Sequence, residues 1–188
     1  MRVIAGTARS LPLKTLPGTD IRPTTDKTKE TLFNILQPYI YGCRFLDLFS
    51  GTGAIGIEAL SRGASFSCFV ERSPKAVKVI RDNLAFTKLG DRAEVRQEDA
   101  LSALRRLDGR TSFDIIFLDP PFGEALEAPV LEYLGTSSLL SEDGMIILET
   151  ALGTDLDYLA ACGLVMVRYK KYKTHAHVFI RKKERTDG

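Results

Sequence analysis

The stretch Phe45 to Glu58, F-L-D-L-F-S-G-T-G-A-I-G-I-E, constrains this chain more than any other part of it. An apolar run of strand character leads into a glycine-punctuated turn, and the turn leads into an apolar pattern of helical character. Gly51, Gly53 and Gly56 have the spacing G-x-G-x-x-G. Missing side chains there permit a tight turn, close approach of a ligand to the backbone, and close packing of the helix on the strand. Such a turn serves either a dinucleotide or S-adenosylmethionine, and Asp47, inside the strand just before the turn, begins to separate the two. A dinucleotide sets its pyrophosphate on the helix N-terminus, where a neighbouring carboxylate repels it. S-adenosylmethionine has no phosphate and carries an ammonium and a sulfonium. An acid beside the turn suits that ligand, and the helix N-terminus can receive its methionine carboxylate.

The rest of the chain alternates. Strand patterns at Ser67–Glu71, Ala93–Arg96, Phe113–Leu118 and Met145–Leu148 are separated by helical patterns at Pro74–Leu84, Leu101–Leu107 and Glu124–Leu134, with a further helix predicted over Asp155–Ala161. Strict alternation implies βαβ crossovers and a mostly parallel sheet with helices on both faces. The ending departs from this, because Leu164–Tyr169 and Val178–Ile180 have only Lys170 to His177 between them. That is too short for a crossover helix, so the two strands are expected to pair as an antiparallel edge hairpin. Upstream, Leu32, Phe33, Leu36 and Tyr39 recur at helical spacing, Thr25 or Asp26 can cap the start, and Pro38 with Gly42 marks the predicted end. Residues 1–23 differ in character: two short strand candidates with Pro12, Pro17 and Gly18 predict a basic hairpin or arm, and 24–188 the main domain. At 188 residues, one well-buried core with a small appendage is expected.

Composition narrows the class. No apolar stretch approaches a bilayer span and no signal peptide follows Arg2, so a cytoplasmic protein without membrane contact is expected. Cys43, Cys68 and Cys162 are odd in number and lack metal-binding spacing, which predicts buried reduced thiols. Net charge is +2 overall but divides into +3 over residues 1–42, −7 over 43–163 and +6 over 164–188. An acidic middle between basic ends fits a small-molecule site flanked by contacts to a polyanion, although lysines and arginines also solvate edges and tails.

In an open α/β sheet, ligands lie beyond the carboxyl ends of the strands. Acids stand at four successive strand ends: Asp47, Glu71, Asp99 and Asp119. A ligand with a cation, a ribose diol and an amino-bearing base would relieve their mutual repulsion. Glu71 follows the first glycine at about the separation at which an acid accepts ribose hydroxyls. Asp99 could accept from the adenine amine, with the Ala100 backbone completing that edge; otherwise it is a surface acid at a helix start. Ser50 and Thr52 in the turn and Arg72 beside Glu71 complete the expected cofactor set.

The second informative stretch is F-D-I-I-F-L-D-P-P-F, residues 113–122. Consecutive prolines stiffen a turn and donate no hydrogen bonds, so the Asp119 carboxylate and the Pro120 carbonyl are presented as paired acceptors before Pro121 and Phe122. A planar exocyclic amine fits them, each hydrogen held by one acceptor while the ring stacks on Phe122. Acceptance of both hydrogens favours a pyramidal nitrogen whose lone pair points at the methyl carbon.

D-L-F-S-G-T-G-A-I-G with D-P-P-F resembles the S-adenosylmethionine-dependent methyltransferases that act on exocyclic amines. R-V-I-A-G-T-A-R-S-L-P-L and I-R-P-T-T-D-K-T-K-E-T-L-F-N-I-L narrow the resemblance to the RsmD family, across nearly the whole chain. It implies a Rossmann-like class I methyltransferase with a seven-stranded sheet, acting on a guanine 2-amine of 16S rRNA, free or in an assembling small subunit, and a monomer is expected. It further implies a cofactor site around Asp47, Gly51, Gly53, Glu71, Asp99 and Ala100, and a target-base site at Asp119, Pro120, Pro121 and Phe122. Arg2, Arg9, Arg22, Thr24, Lys27 and Lys29 are the expected RNA contacts. This chain reads D-K-T-K-E where the family usually has D-R-V-R-E, which keeps the charge of Lys27 and Lys29 but loses the bidentate fork.

Other features carry less. His175 and His177 alternate on a strand and point the same way, but with no third ligand nearby in sequence no metal is expected and two surface or RNA-facing histidines are. Tyr169 to Lys173 interleave aromatic and basic groups, as nucleic-acid surfaces and charged edge strands both do. Rival functions are methylation of a DNA adenine or a protein glutamine amide, an NAD-dependent oxidoreductase, and a non-catalytic RNA-binding protein.

Overall fold

A computed structural model describes residues 1–17 and 25–184. Seven strands form one sheet in the order β3-β2-β1-β4-β5-β7-β6, and the chain divides into two compact units, Met1–Ala100 and Leu101–Gly188. Among the described residues no helix is long and apolar enough to cross a membrane.

In the first unit, helix α1 (Asp26–Ile40) begins where the Thr25 hydroxyl accepts the Thr28 N–H. It buries Leu32, Phe33, Leu36 and Ile40. Two details differ from the sequence expectation: Pro38 lies inside the helix instead of ending it, and Tyr39 is exposed while Ile40 continues the apolar stripe. Strands β1 (Arg44–Leu48), β2 (Phe66–Glu71) and β3 (Ala93–Gln97) pair in parallel, as crossovers through helices α2 (Ala54–Ser61) and α3 (Pro74–Thr87) require. Every residue of α2 is buried, so its sequence shows no polar face.

The amino-terminal residues are part of this unit. Arg2 and Pro12 form an antiparallel bridge, and Val3, Ala8 and Leu13 turn inward. The segment docks on α2 through its backbone. Ile4 and Ala5 donate N–H bonds of 2.9 and 3.1 Å to the two Glu58 oxygens, and Ala8 donates to Ser61 Oγ. Gly6 is required at this contact, since a Cβ there would meet the Ser61 carbonyl oxygen at 1.8 Å. Glu58 also receives Arg62 Nε at 2.8 Å and pairs with Lys29 Nζ at 3.4 Å.

In the second unit, after helix α4 (Ala100–Leu107), β4 (Phe113–Leu118) and β5 (Leu140–Ala151) are parallel. β6 (Leu164–Lys171) and β7 (His175–Lys182) form the expected antiparallel hairpin, with β7 paired to β5 and β6 at the edge. Helix α5 starts at Glu127, later than the apolar pattern predicts. Gly123 and Ala125 take left-handed φ values of 83° and 51°, which no helical residue adopts. The helix expected over Asp155–Ala161 is reduced to one 3₁₀ turn, Asp157–Ala160.

Glu58 is fully buried and satisfies two backbone donors and two cations, so its loss strands all of them. Glu58→Ala is expected to lower unfolding free energy by about 3–5 kcal/mol in urea titration. Lys29→Met, which leaves Arg62 on the carboxylate, should cost clearly less; a Glu58→Ala loss below about 1 kcal/mol would contradict this role.

Candidate active site

The glycine turn follows directly from β1. Three residues within five, Phe49, Gly51 and Gly53, have φ values of 60°, 56° and 78°, so the chain reverses sharply and enters α2 at Gly53. Ser50 pins the reversal: its N–H donates to the Val70 carbonyl at 3.0 Å and its hydroxyl to the Asp47 carbonyl at 2.6 Å. The glycines divide their tasks. A Cβ at Gly56 would stand 2.4 Å from the Phe69 ring, so this position serves helix-on-strand packing. At Gly51 no described atom beyond its two chain neighbours lies within 4 Å of where a Cβ would be, which leaves that side of the turn open to a ligand.

Two acids hold the turn. Asp47 is 1% exposed, and its Oδ2 accepts the Gly56 N–H at 3.0 Å. Burial pushes its carboxyl well above the usual carboxylate range against the pull of that N–H, and the nearby Glu71 charge adds to the rise. Glu71 is half-buried; Oε2 accepts the Gly51 N–H and Oε1 the Ser73 N–H, each at 2.9 Å. The two carboxylates thus grip opposite ends of one loop. Asp99 is exposed in the position before α4, Ala100 is buried as its first residue, and Arg72 is exposed.

Asn83, which the sequence did not single out, completes the support. Buried on α3, it accepts the Lys14 N–H at 2.8 Å and donates from Nδ2 to the Lys14 carbonyl at 3.2 Å and the Thr52 carbonyl at 3.0 Å. One amide therefore ties the amino-terminal segment to the glycine turn. The sequence holds little signal for it, because Asn83 directly follows Arg81 and Asp82 and so reads as part of a solvated helix face.

In the second unit, β4 ends at Leu118 and releases Asp119, Pro120, Pro121 and Phe122 into the turn before α5. Asp119 is half-buried, Pro120 buried, Pro121 exposed, and Phe122 is 44% exposed. An exposed phenylalanine after a buried strand has the placement that ring stacking needs.

The expected RNA contacts separate into three groups. Arg2, Arg9 and Lys27 are at the surface, Arg2 beside Asp26 at 3.3 Å. Arg22 and Thr24 lie outside the described residues. Lys29 is a correction: it is fully buried, paired with Glu58 and bonded to the Arg2 carbonyl, so it cannot meet a polyanion. Burial also lowers its pKa, with Glu58 opposing the shift. A second correction concerns His175 and His177, which are 6% and 0% exposed and face Glu149, not solvent or RNA. Cys43 and Cys68 are buried free thiols, with Cys68 pushed up to about 12 mainly by burial; Cys162 is only partly covered.

Residues 1–181 match the family described as conserved hypothetical protein 95. Bacillus subtilis YlbH, named as a candidate rRNA methyltransferase, is 43% identical over 92% of this chain and 94% of its own. The Escherichia coli ribosomal RNA small subunit methyltransferase D is 36% identical over 86% and 80%. The solved Escherichia coli protein yhhF, described as a candidate methyltransferase, superposes with a TM-score of 0.86 at 33% identity, covering 97% of this chain and 98% of that one. The chain belongs to the conserved hypothetical protein 95 family, that of the RsmD methyltransferases.

Proposed function

We propose that this protein transfers a methyl group from S-adenosylmethionine to the exocyclic 2-amine of a guanine in 16S rRNA of the small ribosomal subunit. The observation that carries the proposal is the presence in one chain of a glycine turn open at Gly51 and braced by Glu71, and a rigid Asp-Pro-Pro-Phe turn presenting an exposed ring. Relatives named as small-subunit rRNA methyltransferases support the substrate class.

Each carboxylate oxygen of Glu71 keeps accepting capacity beyond its one backbone N–H, which suits a ribose diol. Asp99 and the Ala100 backbone serve the adenine edge, and the α2 N-terminus receives the methionine carboxylate. Asp47 acts as a positioning residue that fixes the turn; held toward its neutral form by burial, it lends negative potential as the ammonium and sulfonium draw off its proton. The Asp119 carboxylate and Pro120 carbonyl accept the two amine hydrogens while the base stacks on Phe122. Attack in line with the breaking S–C bond forms the N–C bond, the S–C electron pair stays on sulfur, and the nitrogen then sheds one proton. Extracting a paired guanine costs about a few kcal/mol, and stacking on Phe122 offsets roughly 1–3 kcal/mol of that. Arg2, Arg9, Arg22 and Lys27 contribute phosphate contacts that carry no sequence information. The enzyme acts as a cytoplasmic monomer on rRNA or an assembling subunit.

Labelled-methyl transfer to 16S rRNA and to partly assembled subunits tests the reaction, with the modified nucleoside identified by mass. Asp119→Ala is expected to reduce turnover roughly 10²–10³-fold with cofactor affinity nearly unchanged. Wild-type-like turnover in that variant, or a methylated adenine or protein amide as product, would contradict the proposal.

Asp47 yields a separate expectation. Its folded-state pKa exceeds the unfolded value, so the folded chain binds the extra proton between the two, and this contribution to stability falls as pH rises through that window. Asp47→Asn keeps an oxygen for the Gly56 N–H but cannot titrate. Its urea-measured stability should gain on wild type as pH rises, while S-adenosylmethionine binding weakens about tenfold, the equivalent of about 1.4 kcal/mol. Unchanged binding would remove the charge from the cofactor site.

A further inference from the structure

The second unit contains a buried constellation that the methyl-transfer reaction does not use. Antiparallel pairing sets Glu149 of β5 opposite His177 of β7 and Ala151 opposite His175, so both imidazoles and the carboxylate share one face. His177 Nε2 lies 3.0 Å from Glu149 Oε2, and His175 Nε2 lies 3.7 Å from Glu149 Oε1. One ligating atom from each residue lies within 4.8 Å of the other two. A tetrahedral zinc ion with bonds of about 2.0–2.2 Å holds its donor atoms roughly 3.3 Å apart, and the two nitrogen-to-carboxylate separations, each to a different Glu149 oxygen, lie close enough to that value for small rotamer shifts to close the set.

The surroundings fit as well. Tyr172 Oη stands 3.2 Å from His177 Nδ1, where a ligating imidazole needs a partner for its second ring nitrogen. The Tyr172 ring stacks on His175 with centroids 4.7 Å apart and planes inclined by 17°, and Phe117 of β4 meets His177 edge-on at 6.1 Å. Two neutral imidazoles and one carboxylate leave a divalent cation with one residual charge, against two buried rings crowded on a single carboxylate in its absence. Two nitrogens and one oxygen suit zinc, whereas calcium and magnesium prefer oxygen throughout. The sequence reading lacked only the third ligand, which comes from a neighbouring strand 26 residues before His175.

We propose that Glu149, His175 and His177 bind one zinc ion, which fastens the carboxy-terminal hairpin to β5. Three protein ligands leave the fourth tetrahedral position to a small exogenous ligand such as water, and burial of all three side chains keeps a macromolecular substrate away from it, so the role is structural and independent of methyl transfer.

The full-length chain, stripped with a chelator and dialysed, is titrated with zinc by calorimetry, and its thermal midpoint is followed with and without the metal. Cobalt substituted for zinc reports ligand type by its visible spectrum. One ion per chain, a zinc-dependent rise in midpoint, and a cobalt spectrum of nitrogen and oxygen ligands are expected. His175→Asn and Glu149→Gln, checked for wild-type circular dichroism, should each lose more than about 100-fold in zinc affinity, beyond the cost of losing an outer partner. No uptake, undiminished uptake in both variants, or a thiolate charge-transfer band implicating Cys43, Cys68 or Cys162 overturns the proposal. If either variant fails to fold, the wild-type cobalt spectrum decides alone, since thiolate ligation or no binding refutes the site and nitrogen-oxygen ligation supports it.

Discussion

The glycine turn keeps its shape because two carboxylates accept its backbone N–H groups, Asp47 from Gly56 and Glu71 from Gly51. The left-handed Phe49 would otherwise relax, since a strained non-glycine position persists only where its surroundings over-determine it, and Gly51 and Gly53, free to adopt many conformations, would otherwise lose the turn's single shape. The same bonds set the electrostatics. The Glu71 charge, joined by that of Asp47 when a cationic donor draws off its proton, would oppose a pyrophosphate and favour such a donor, so this pair bears on both the geometry and the proposed choice of ligand.

The brace extends outward. Asn83 joins the turn to Lys14, and Glu58 joins α2 to Ile4, Ala5, Lys29 and Arg62, so the amino-terminal segment is wired into the scaffold that holds the turn. What the sequence presents as a basic arm is, over residues 1–17, a docked hairpin whose backbone is largely spoken for. Its exposed cations Arg2, Arg9 and Lys14 are carried on a fixed support, which lowers the entropy lost on meeting a polyanion.

Local rules made much of this legible. The strand Phe113–Leu118 has the bounds its apolar run predicts, Thr25 caps α1 as its side chain allows, and the short link before β7 forces a hairpin. Errors arose where tertiary context overrides local signal. Lys29 reads as a surface cation because its partner Glu58 is 29 residues away and on another helix. His175 and His177 read as exposed because burial by Glu149, Tyr172 and Phe117 is a property of the sheet and not of the H-A-H triplet. Composition gave α5 its apolar pattern, while backbone conformation at Gly123 and Ala125 delayed its start. The acids at the strand ends were found by spacing, yet spacing could not say that Asp47 would be buried against the helix backbone.

The central claim is that the carboxylate-braced turn is an adenosyl-donor site. A crystal structure of the protein grown with S-adenosylhomocysteine tests it most directly. The account predicts ligand backbone against Gly51 and both ribose hydroxyls on Glu71, with Asp47 still bonded to Gly56. Clear density for the ligand elsewhere on the chain, with Glu71 untouched, would contradict it.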